Sequence, residues 1–521
     1  MKDLPVGIYT FENLITGNML YVDKTEYIYN LVKPAQSVYF LSRPRRFGKS
    51  LLVSTLASLF AGRRDLFEGL WITEQTDYDF EPYAVLQFDF TKDKFTSPKQ
   101  IETYLLHRID VFAKQFQIEL QYPNYAGRFA ELIEKIGQTQ KVVILIDEYD
   151  KPLLDNFNNP EQDEMKDILK GFYGVIKGSD AHLRFVLLTG VTKFARVSVF
   201  SDLNNLLDLS MDMRYAELLG ITQTELEYYF ADRIDQLSKT LNLSQNELLD
   251  RIKIWYNGYR FSTKASYVYN PFSTLILFEQ QQFKPYWFET GTPTFLINLI
   301  RKNRVSFHKL YEDVKVSERN FATYRLKKLE PLPLLFQTGY LTIKDVYESD
   351  FNRRYSLNYP NFEVKHAFLF SLLDEFSNLE LSGEGYLDEI IDCLREGDVD
   401  GMFEYLQVFF ANVPYDLHIK NEKYYQTIFY SVFQLIGLRI EAEVKTNKGR
   451  IDAVVETTAR IYIFEFKLFG TAEEALSQIK EKQYAQKYLK QGKEILLLGV
   501  GFNQEEKNIG EWLVETMKNE E

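Results

Sequence analysis

The stretch SVYFLSRPRRFGKS, residues 37–50, decides the fold of the first part of the chain. A short apolar run, Ser37–Leu41, is followed by Gly48-Lys49-Ser50 and then by a predicted helix. A strand, a glycine-containing loop and a helix in this order are the context of a phosphate-binding (Walker A) loop. Backbone amides near Gly48 can approach phosphate, Lys49 can reach the β- and γ-phosphates, and the Ser50 hydroxyl can ligate Mg²⁺.

This loop departs from the usual G-x-x-x-x-G-K-[ST] pattern at its first position, where the chain has Arg43 instead of glycine. A bare Gly-Lys-Ser tripeptide also occurs in surface turns, so a second motif has to decide between the two interpretations. The residues that we expect to contact ATP are those of the loop and the first helical turn: Arg45, Arg46, Phe47, Gly48, Lys49, Ser50 and Leu51.

The second motif is KVVILIDEYD, residues 141–150, an apolar strand that ends in acids. Asp147 stands where it can hold Mg²⁺ together with Ser50, and it is an expected ATP-site residue. Glu148 is placed to polarise an attacking water, which makes it a candidate catalytic residue. The alternative is a buried strand capped by solvated acids, but that arrangement rarely follows a strand–Gly-Lys-Ser–helix. The two motifs together favour nucleotide binding, with hydrolysis as a further expectation.

Three more features extend the pattern over residues 37 to 210. Apolar runs at Ala84–Phe88, Val142–Ile146 and Phe185–Leu188 alternate with helical segments, which predicts a parallel sheet covered by helices on both faces. The strand Ala84–Phe88, inserted between the motifs, and Glu148 resemble the branch of P-loop ATPases that includes the AAA group. Thr189, after the last strand, is either a sensor of the γ-phosphate or a strand-end turn.

A third motif lies near the carboxyl end, where GRIDAVV begins at residue 449 and IYIFEFK at residue 461. If the turn between these two predicted strands is symmetric, Glu456 pairs with Ile461 and Asp452 faces Glu465 across the hairpin. A register slip of one residue would separate the two carboxylates.

Facing carboxylates repel each other unless a cation lies between them, and oxygen ligands select Mg²⁺ or Mn²⁺. We therefore predict a metal site at Asp452 and Glu465, with Lys467 on the same strand face as a third catalytic residue. Glu422, on a preceding predicted helix, either completes the metal site or belongs to a solvated helical face. Gln478 and Tyr484, assigned to a following helix, are predicted accessory residues.

Taken together, these motifs resemble the predicted AAA-ATPase-like family that is fused to a PD-(D/E)XK nuclease domain. The N-terminal match includes Tyr21–Thr25, Ser42–Ser50 and Val143–Pro152, and the C-terminal match includes Gly449–Asp452 and Glu465–Lys467. The resemblance covers nearly the whole chain, and the arginine-rich loop looks like this family's own form. It implies ATP binding and a nuclease fold but supplies no substrate.

The expected fold class is α/β: an AAA-like P-loop sheet with a helical lid or connector, followed by a restriction-endonuclease-like α/β domain. We predict an ATPase domain over residues 1–220, the lid over 221–375 and the nuclease-like domain over 376–521. Helices are expected at Glu225–Leu241 and Gln245–Trp255.

Composition limits the function classes. The net charge of −13 speaks against a protein that coats polyanions, although a local basic surface remains compatible with it. One cysteine and the lack of a signal-like start or a long apolar stretch predict a cytoplasmic protein without a membrane partner.

The expected function is that of an ATP-binding, ATP-hydrolysing enzyme with a Mg²⁺-dependent nuclease (Mn²⁺ possible) acting on nucleic acid, gated by the ATP state. DNA is the favoured partner, RNA remains open, and a homo-oligomer is compatible with the sequence. The alternative is a nucleotide-dependent binding or signalling switch with an inactive nuclease fold. An ATP-driven DNA translocase is disfavoured because helicase-like motifs are lacking.

Overall fold

The computed structural model consists of two compact units. It describes residues 1–156, 159–193, 206–287, 314–317, 331–349, 352–376, 383–411, 439–440, 445–446, 449–450, 453–467, 469–503, 505 and 508–517. Unit 1 comprises residues 1–299 and 314–364, and unit 2 comprises residues 300–313 and 365–521. The domain boundaries predicted at 220 and 375 stay predictions. No helix among the described residues has the length and apolar character needed to cross a bilayer.

The core of unit 1 is a five-stranded parallel sheet in the order β2-β3-β4-β1-β5. Its strands are β1 Ser37–Ser42, β2 Ala84–Asp89, β3 Val142–Asp147, β4 Leu183–Gly190 and β5 Leu207–Asp208. The helices around it are α1 Phe11–Thr16, α2 Thr25–Val32, α3 Lys49–Phe60, α4 Trp71–Glu74, α5 Pro98–Gln115, α6 Tyr125–Gly137, α7 Lys151–Leu154 and α8 Gln162–Gly178.

The order of the strands confirms the predicted parallel α/β sheet. Every residue of β1 and of β3 is buried, as expected for strands covered on both faces. The strand that lies between β1 and β3 in space is β4, whereas β2, which lies between the two motifs in sequence, forms the sheet edge. The carboxyl ends of β1, β3 and β4 therefore meet at one edge of the sheet.

After the sheet, unit 1 continues with four helices: α9 Gln223–Tyr229, α10 Ala231–Leu241, α11 Gln245–Tyr256 and α12 Pro271–Gln280. Capping boxes at Thr222 and Ser244 start α9 and α11. The prediction of a single helix over Glu225–Leu241 is wrong in one respect. The helix is interrupted at Phe230, whose buried ring packs among the helices of this region.

The predicted lid region is not wholly helical. It also contains β6 Val314–Ser317, α13 Pro331–Thr338, β7 Thr342–Ser349 and β8 Asn352–Asn358, with the three strands forming an antiparallel sheet in the order β6-β8-β7. Helix α14, Phe362–Phe376, follows. The sequence analysis did not predict this sheet.

Unit 2 is built on a second sheet in the order β15-β14-β13-β12-β9. The described elements are α15 Gly383–Glu396, α16 Val399–Ala411, β9 Arg439–Ile440, β10 Lys445–Thr446, β11 Gly449–Arg450, β12 Ala453–Glu456, β13 Arg460–Lys467, α17 Ala472–Glu481, β14 Glu494–Asn503 and β15 Asn508–Met517. The last strand, β15, pairs antiparallel with β14 and forms one edge of the sheet.

The two faces of β13 carry alternate residues, as a strand requires. Tyr462, Phe464 and Phe466 pack in the same cluster as residues of α15 and α16. Ile461 and Ile463 pack with residues of α17 on the other face. This alternation fixes which residues of the strand can form a site on the α17 side.

Arg43, the residue in place of the first Walker A glycine, is buried in unit 1 with 1% of its surface exposed. Its guanidinium donates to the carbonyls of Ser42, Ser210 and Tyr215 at 2.9, 2.8 and 3.1 Å and lies 4.0 Å from the centre of the Phe261 ring. Burial lowers the pKa of Arg43 to about 9, which leaves it charged at neutral pH. Its backbone φ is not among the positive values, so this position does not require glycine.

We therefore predict that Arg43→Met destabilises unit 1 by about 3 kcal/mol, because a buried side chain of similar volume would leave three carbonyls without their donor. Chemical denaturation of the full chain measures this loss. The matched control is Arg45→Met in the same loop, where the side chain is exposed and the change should cost below about 0.5 kcal/mol. Equal stability of both variants would contradict a structural role for Arg43.

Candidate nucleotide site and candidate nuclease site

The loop between β1 and α3 contains two residues in the left-handed conformation. Gly48 adopts φ +88° immediately before α3 begins at Lys49. Arg46 also lies in the left-handed region, with φ +64°. Because α3 starts here, its first N–H groups lack partners within the helix and can meet an anion.

Lys49 is buried and is held by three acceptors. Its Nζ donates to the carbonyl oxygens of Arg43 and Pro44 at 3.2 and 3.1 Å, and it forms an ion pair with Glu148 at 3.1 Å. Two of these acceptors belong to the loop itself. The ammonium thus lies beside Glu148, the acid that directly follows β3.

Asp147 links the ends of three structural elements. Its carboxylate accepts a hydrogen bond from the Thr189 hydroxyl at the end of β4, at 2.5 Å, and contacts the Ser50 hydroxyl. Burial, with a further contribution from the negative charge of Glu148, raises the pKa of Asp147. A cation at this carboxylate would offset both effects, and the carboxylate and hydroxyl oxygens there are ligands that suit Mg²⁺.

Glu148 and Asp150 have different environments, although they lie two residues apart. Glu148 has φ +54° and is partly exposed beside Lys49. Asp150 is fully buried, where it accepts hydrogen bonds from the backbone of Val191 and from the backbone and hydroxyl of Thr192. Burial, reinforced by the charge of Glu148, raises the pKa of Asp150 to about 6. Asp150 therefore fixes the chain that follows β4.

Two adjoining cavities flank the phosphate-binding loop. The larger one, of about 440 Å³, is lined by Arg45, Arg46, Lys49, Ser50, Glu148 and Lys151 among others. The smaller one, of about 110 Å³, is mainly apolar and is lined by Leu51, Leu52, Leu219, Ile221, Pro271 and Leu275 among others. Gly48, Leu51, Pro271 and Leu275 contribute to both. A cationic cleft beside an apolar pocket suits a ligand with phosphates and a flat base.

Aromatic residues of the predicted lid pack directly on the loop. The Phe47 ring lies 4.8 Å from that of Tyr259 and 5.3 Å from that of Phe261, both edge-on. The indole N–H of Trp287 donates to the carbonyl oxygen of Arg45 at 3.0 Å. The sequence analysis did not assign these contacts or Lys151 to the site. Lys151 directly follows the acidic motif, which was the available signal.

In unit 2, the hairpin of β12 and β13 has the predicted register, with Glu456 opposite Ile461. Thr457 closes the turn, accepting and donating hydrogen bonds with Arg460. Asp452 and Glu422 lie outside the described residues, so their predicted roles stay predictions. No group of three or more His, Cys, Asp or Glu side chains arranged to hold a metal occurs within the described part of the chain.

Glu465 and Lys467 lie on the face of β13 that packs against α17. Lys467 Nζ contacts Glu465 Oε1 at 3.3 Å and donates to Gln478 Oε1 at 2.6 Å. The Gln478 amide nitrogen donates to Glu465 and, at 3.3 Å, to the Tyr484 hydroxyl. Glu465 is 3% exposed. The four residues that the sequence analysis selected on this side of the site thus form one hydrogen-bonded network.

Tyr484 does not lie on the same helix as Gln478, contrary to the prediction. Helix α17 ends at Glu481, Gln483 adopts φ +53°, and a 3₁₀ turn begins at Tyr484. The left-handed residue reverses the chain so that the Tyr484 hydroxyl returns to Gln478.

The geometry defines the class of protein in two parts. A parallel sheet with a phosphate-binding loop and acids at its strand ends is a P-loop NTPase fold, and the separate mixed sheet of unit 2 is nuclease-like. Residues 5–200 match the family described as a predicted AAA-ATPase, and residues 420–512 match the PD-(D/E)XK nuclease superfamily.

One curated relative, described as an uncharacterized protein in the vnfD 5' region of Azotobacter chroococcum mcd 1, is 39% identical over 99% of both chains. The protein therefore belongs to the family in which a predicted AAA-ATPase domain precedes a PD-(D/E)XK nuclease superfamily domain. The solved Aeropyrum pernix ORC2 protein, in complexes with ADPNP and ADP, is similar with a TM-score of 0.30 and 11% identity over 68% of this chain and 91% of its own.

We predict opposite effects on ATP affinity from two substitutions in the nucleotide site. Lys49→Ala removes the cation of the loop and should weaken ATP binding at least tenfold. Glu148→Gln keeps the side-chain shape but removes the charge that holds Lys49 and repels phosphate, so ATP should bind roughly fivefold tighter, about 1 kcal/mol. Fluorescent-nucleotide titration measures both. Weaker binding by Glu148→Gln would contradict the competition between this carboxylate and phosphate for Lys49.

A second prediction concerns how the free energy of unfolding changes with pH. Because the pKa of Asp150 is raised to about 6 in the folded chain, its protonated form favours folding, and the stability it contributes is lost as pH rises from about 4 to 6. The difference in unfolding free energy between the wild type and Asp150→Asn should change by up to about 3 kcal/mol over that range and stay constant above it.

The readout is this pH slope, measured by chemical denaturation, and not the absolute stability, because the asparagine amide nitrogen cannot accept the N–H of Thr192. Asp250→Asn, at an exposed carboxylate on α11, is the control. A slope that is the same with and without Asp150 would refute its assignment as the titrating group.

Proposed function

We propose that unit 1 binds and hydrolyses ATP with Mg²⁺. The observation that carries this proposal is the meeting of Lys49, Asp147 and Glu148 at the carboxyl ends of β1 and β3, beside a cationic cleft. The triphosphate would occupy this cleft, and the base would enter the adjoining apolar pocket next to Leu51. Lys49 would then exchange its carbonyl and carboxylate partners for phosphate oxygens.

Ser50 and Asp147 would hold the magnesium ion, since they supply a hydroxyl and a buried carboxylate in contact with each other. Bound Mg²⁺ would neutralise charge on the β- and γ-phosphates. Glu148 would orient the attacking water and accept its proton. Thr189, which already donates to Asp147, would report the state of the γ-phosphate through that carboxylate.

We further propose that unit 2 cleaves phosphodiester bonds of nucleic acid, with DNA as the favoured substrate. The network of Glu465, Lys467 and Gln478 supports this, because a buried carboxylate and an oriented ammonium lie side by side on one strand face. Glu465, together with Asp452 and Glu422, would hold the divalent metal, which supplies an activated water when bound. Lys467 would stabilise negative charge on the phosphate, and Gln478 would hold Lys467 in position.

Regulation of the nuclease by the ATP state is the third part of the proposal. Phe47 and the carbonyl of Arg45 contact lid residues, so a change of the loop on nucleotide binding is transmitted to the lid directly. The competing function is a nucleotide-dependent binding switch without cleavage.

The test is a cleavage assay of the full chain on linear double-stranded DNA, single-stranded DNA and RNA, with Mg²⁺ or Mn²⁺ and with or without ATP. We expect metal-dependent cleavage that Asp452→Ala and Lys467→Ala each reduce at least about 100-fold. Glu473→Gln, at an exposed acid on α17, is the matched control and should cleave normally.

Lys49→Ala should abolish the difference between the reactions with and without ATP. Cleavage that survives in Asp452→Ala would refute the proposed active site. A wild type that cleaves no substrate but binds nucleic acid in an ATP-dependent manner would favour the switch.

A further inference from the structure

The three-stranded sheet of unit 1 has a distinctive topology. Strand β6 pairs with β8, β8 pairs with β7, all pairs are antiparallel, and α13 leads into β7. This strand order, with a helix before a two-stranded hairpin, is that of the wing in winged helix-turn-helix proteins. A two-stranded β ribbon is one of the few elements that fit a groove of duplex DNA.

The two faces of this sheet differ in character. Val316, Ile343, Tyr355 and Leu357 form a buried apolar face, with at most 3% of each residue exposed. Residues that alternate with them point to the opposite face. The sheet therefore has one buried apolar side, and the other side, the open side, is exposed at Lys315, Tyr347 and Arg354 but buried at Ser356.

The open side carries cations around an exposed aromatic ring. Arg354 pairs with Ser317 on one neighbouring strand and with Tyr347 on the other, so these residues form one row. Tyr347 is 48% exposed, and the ammonium of Lys315 lies 4.9 Å from the centre of its ring. Lys315 and Arg354 are exposed. Asp345 is the acid on this side, opposite Ser356.

The sequence around the β6-β8-β7 sheet is basic, although the protein as a whole is acidic. Residues 314–354 contain eight lysines and arginines and five aspartates and glutamates, a net charge of +3 in a chain whose net charge is −13. A local basic segment on an acidic body is the electrostatic pattern of a confined nucleic-acid contact.

Helix α13, which stands before the hairpin as a recognition helix would, cannot reach a DNA groove. Leu334 and Leu335 are each 1% exposed, and Gln337 accepts the backbone N–H of Lys193, just after β4. The φ of Gly339 is +92°, and the chain there touches Pro44 of the phosphate-binding loop. The hairpin is therefore the part of this motif that remains available for DNA.

We propose that the open face of the β6-β8-β7 sheet binds duplex DNA, with Arg354 and Lys315, on the strands next to that of Tyr347, contacting backbone phosphates. Duplex fits better than single strand, because sequence-tolerant single-strand binding uses several stacking aromatics, and the described residues of this face include one exposed aromatic, Tyr347. DNA fits better than RNA, because the major groove of A-form RNA is too deep and narrow for a ribbon. This surface is separate from the cleavage site and does not rest on the proposed nuclease activity.

The test measures binding of the full chain to a fluorescent 30-base-pair duplex by anisotropy, in EDTA and without ATP, over a range of salt concentrations. We expect Lys315→Glu and Arg354→Glu each to lower the affinity by roughly fivefold or more and to reduce the slope of log K against log salt by about one. Lys239→Glu makes the same charge change at an exposed residue of α10 and should bind like the wild type. Both altered sheet side chains are exposed, so thermal unfolding should not change.

Three results would overturn the proposal: wild-type affinity and salt slope in both sheet variants, no binding of duplex by the wild type at low salt, or at least tenfold tighter binding of single-stranded DNA or RNA than of duplex. Because EDTA prevents metal-dependent cleavage, the outcome is independent of whether Asp452→Ala abolishes cleavage. The two proposals can therefore fail separately.

Discussion

The parallel pairing of β3, β4 and β1 is the constraint on which the nucleotide site depends. Hydrogen-bonded register across these strands brings their carboxyl ends to one edge, so that Lys49, Asp147 and Thr189 meet although they are far apart in sequence. The Thr189 hydroxyl bonded to Asp147 joins the two strands at that edge. Any slip of the register would separate the cation of the loop from the acids, and no local interaction could compensate for that.

The buried guanidinium of Arg43 explains how the loop keeps its shape without the usual first glycine. It satisfies carbonyl oxygens at the end of β1 and in the chain after β5, and it stacks on Phe261 of the lid. The Phe47 ring contacts the same phenylalanine. The loop is thus a shared boundary between the sheet and the lid, with contacts on both sides. The proposed regulation by nucleotide would depend on these contacts.

Features set by short-range patterns could be predicted from the sequence, and features set by packing could not. The strands β1 to β4 were found because buried apolar runs bounded by loops are distinctive. The hairpin register at Glu456 and Ile461 follows from the length of the turn. By contrast, the break at Phe230 depends on where a ring packs, and the β6-β8-β7 sheet joins strands separated by the chain of α13. Neither leaves a periodic signal in the sequence.

In the nuclease-like site, too, the positions of residues along one strand could be predicted from the sequence, whereas the contacts between elements could not. Strand alternation placed Glu465 and Lys467 on one face, but the contact with Gln478 depends on how closely α17 approaches the sheet. That approach is permitted at Gly499, which pairs with Glu465, because a Cβ there would lie 2.2 Å from the backbone oxygen of Ala472. A methyl group at this position would push α17 away from the sheet. Gln478 would then move away from Lys467, and the buried carboxylate of Glu465 would lose its amide donor. The position of the ammonium is therefore set as much by a glycine on the neighbouring strand as by the strand that bears it.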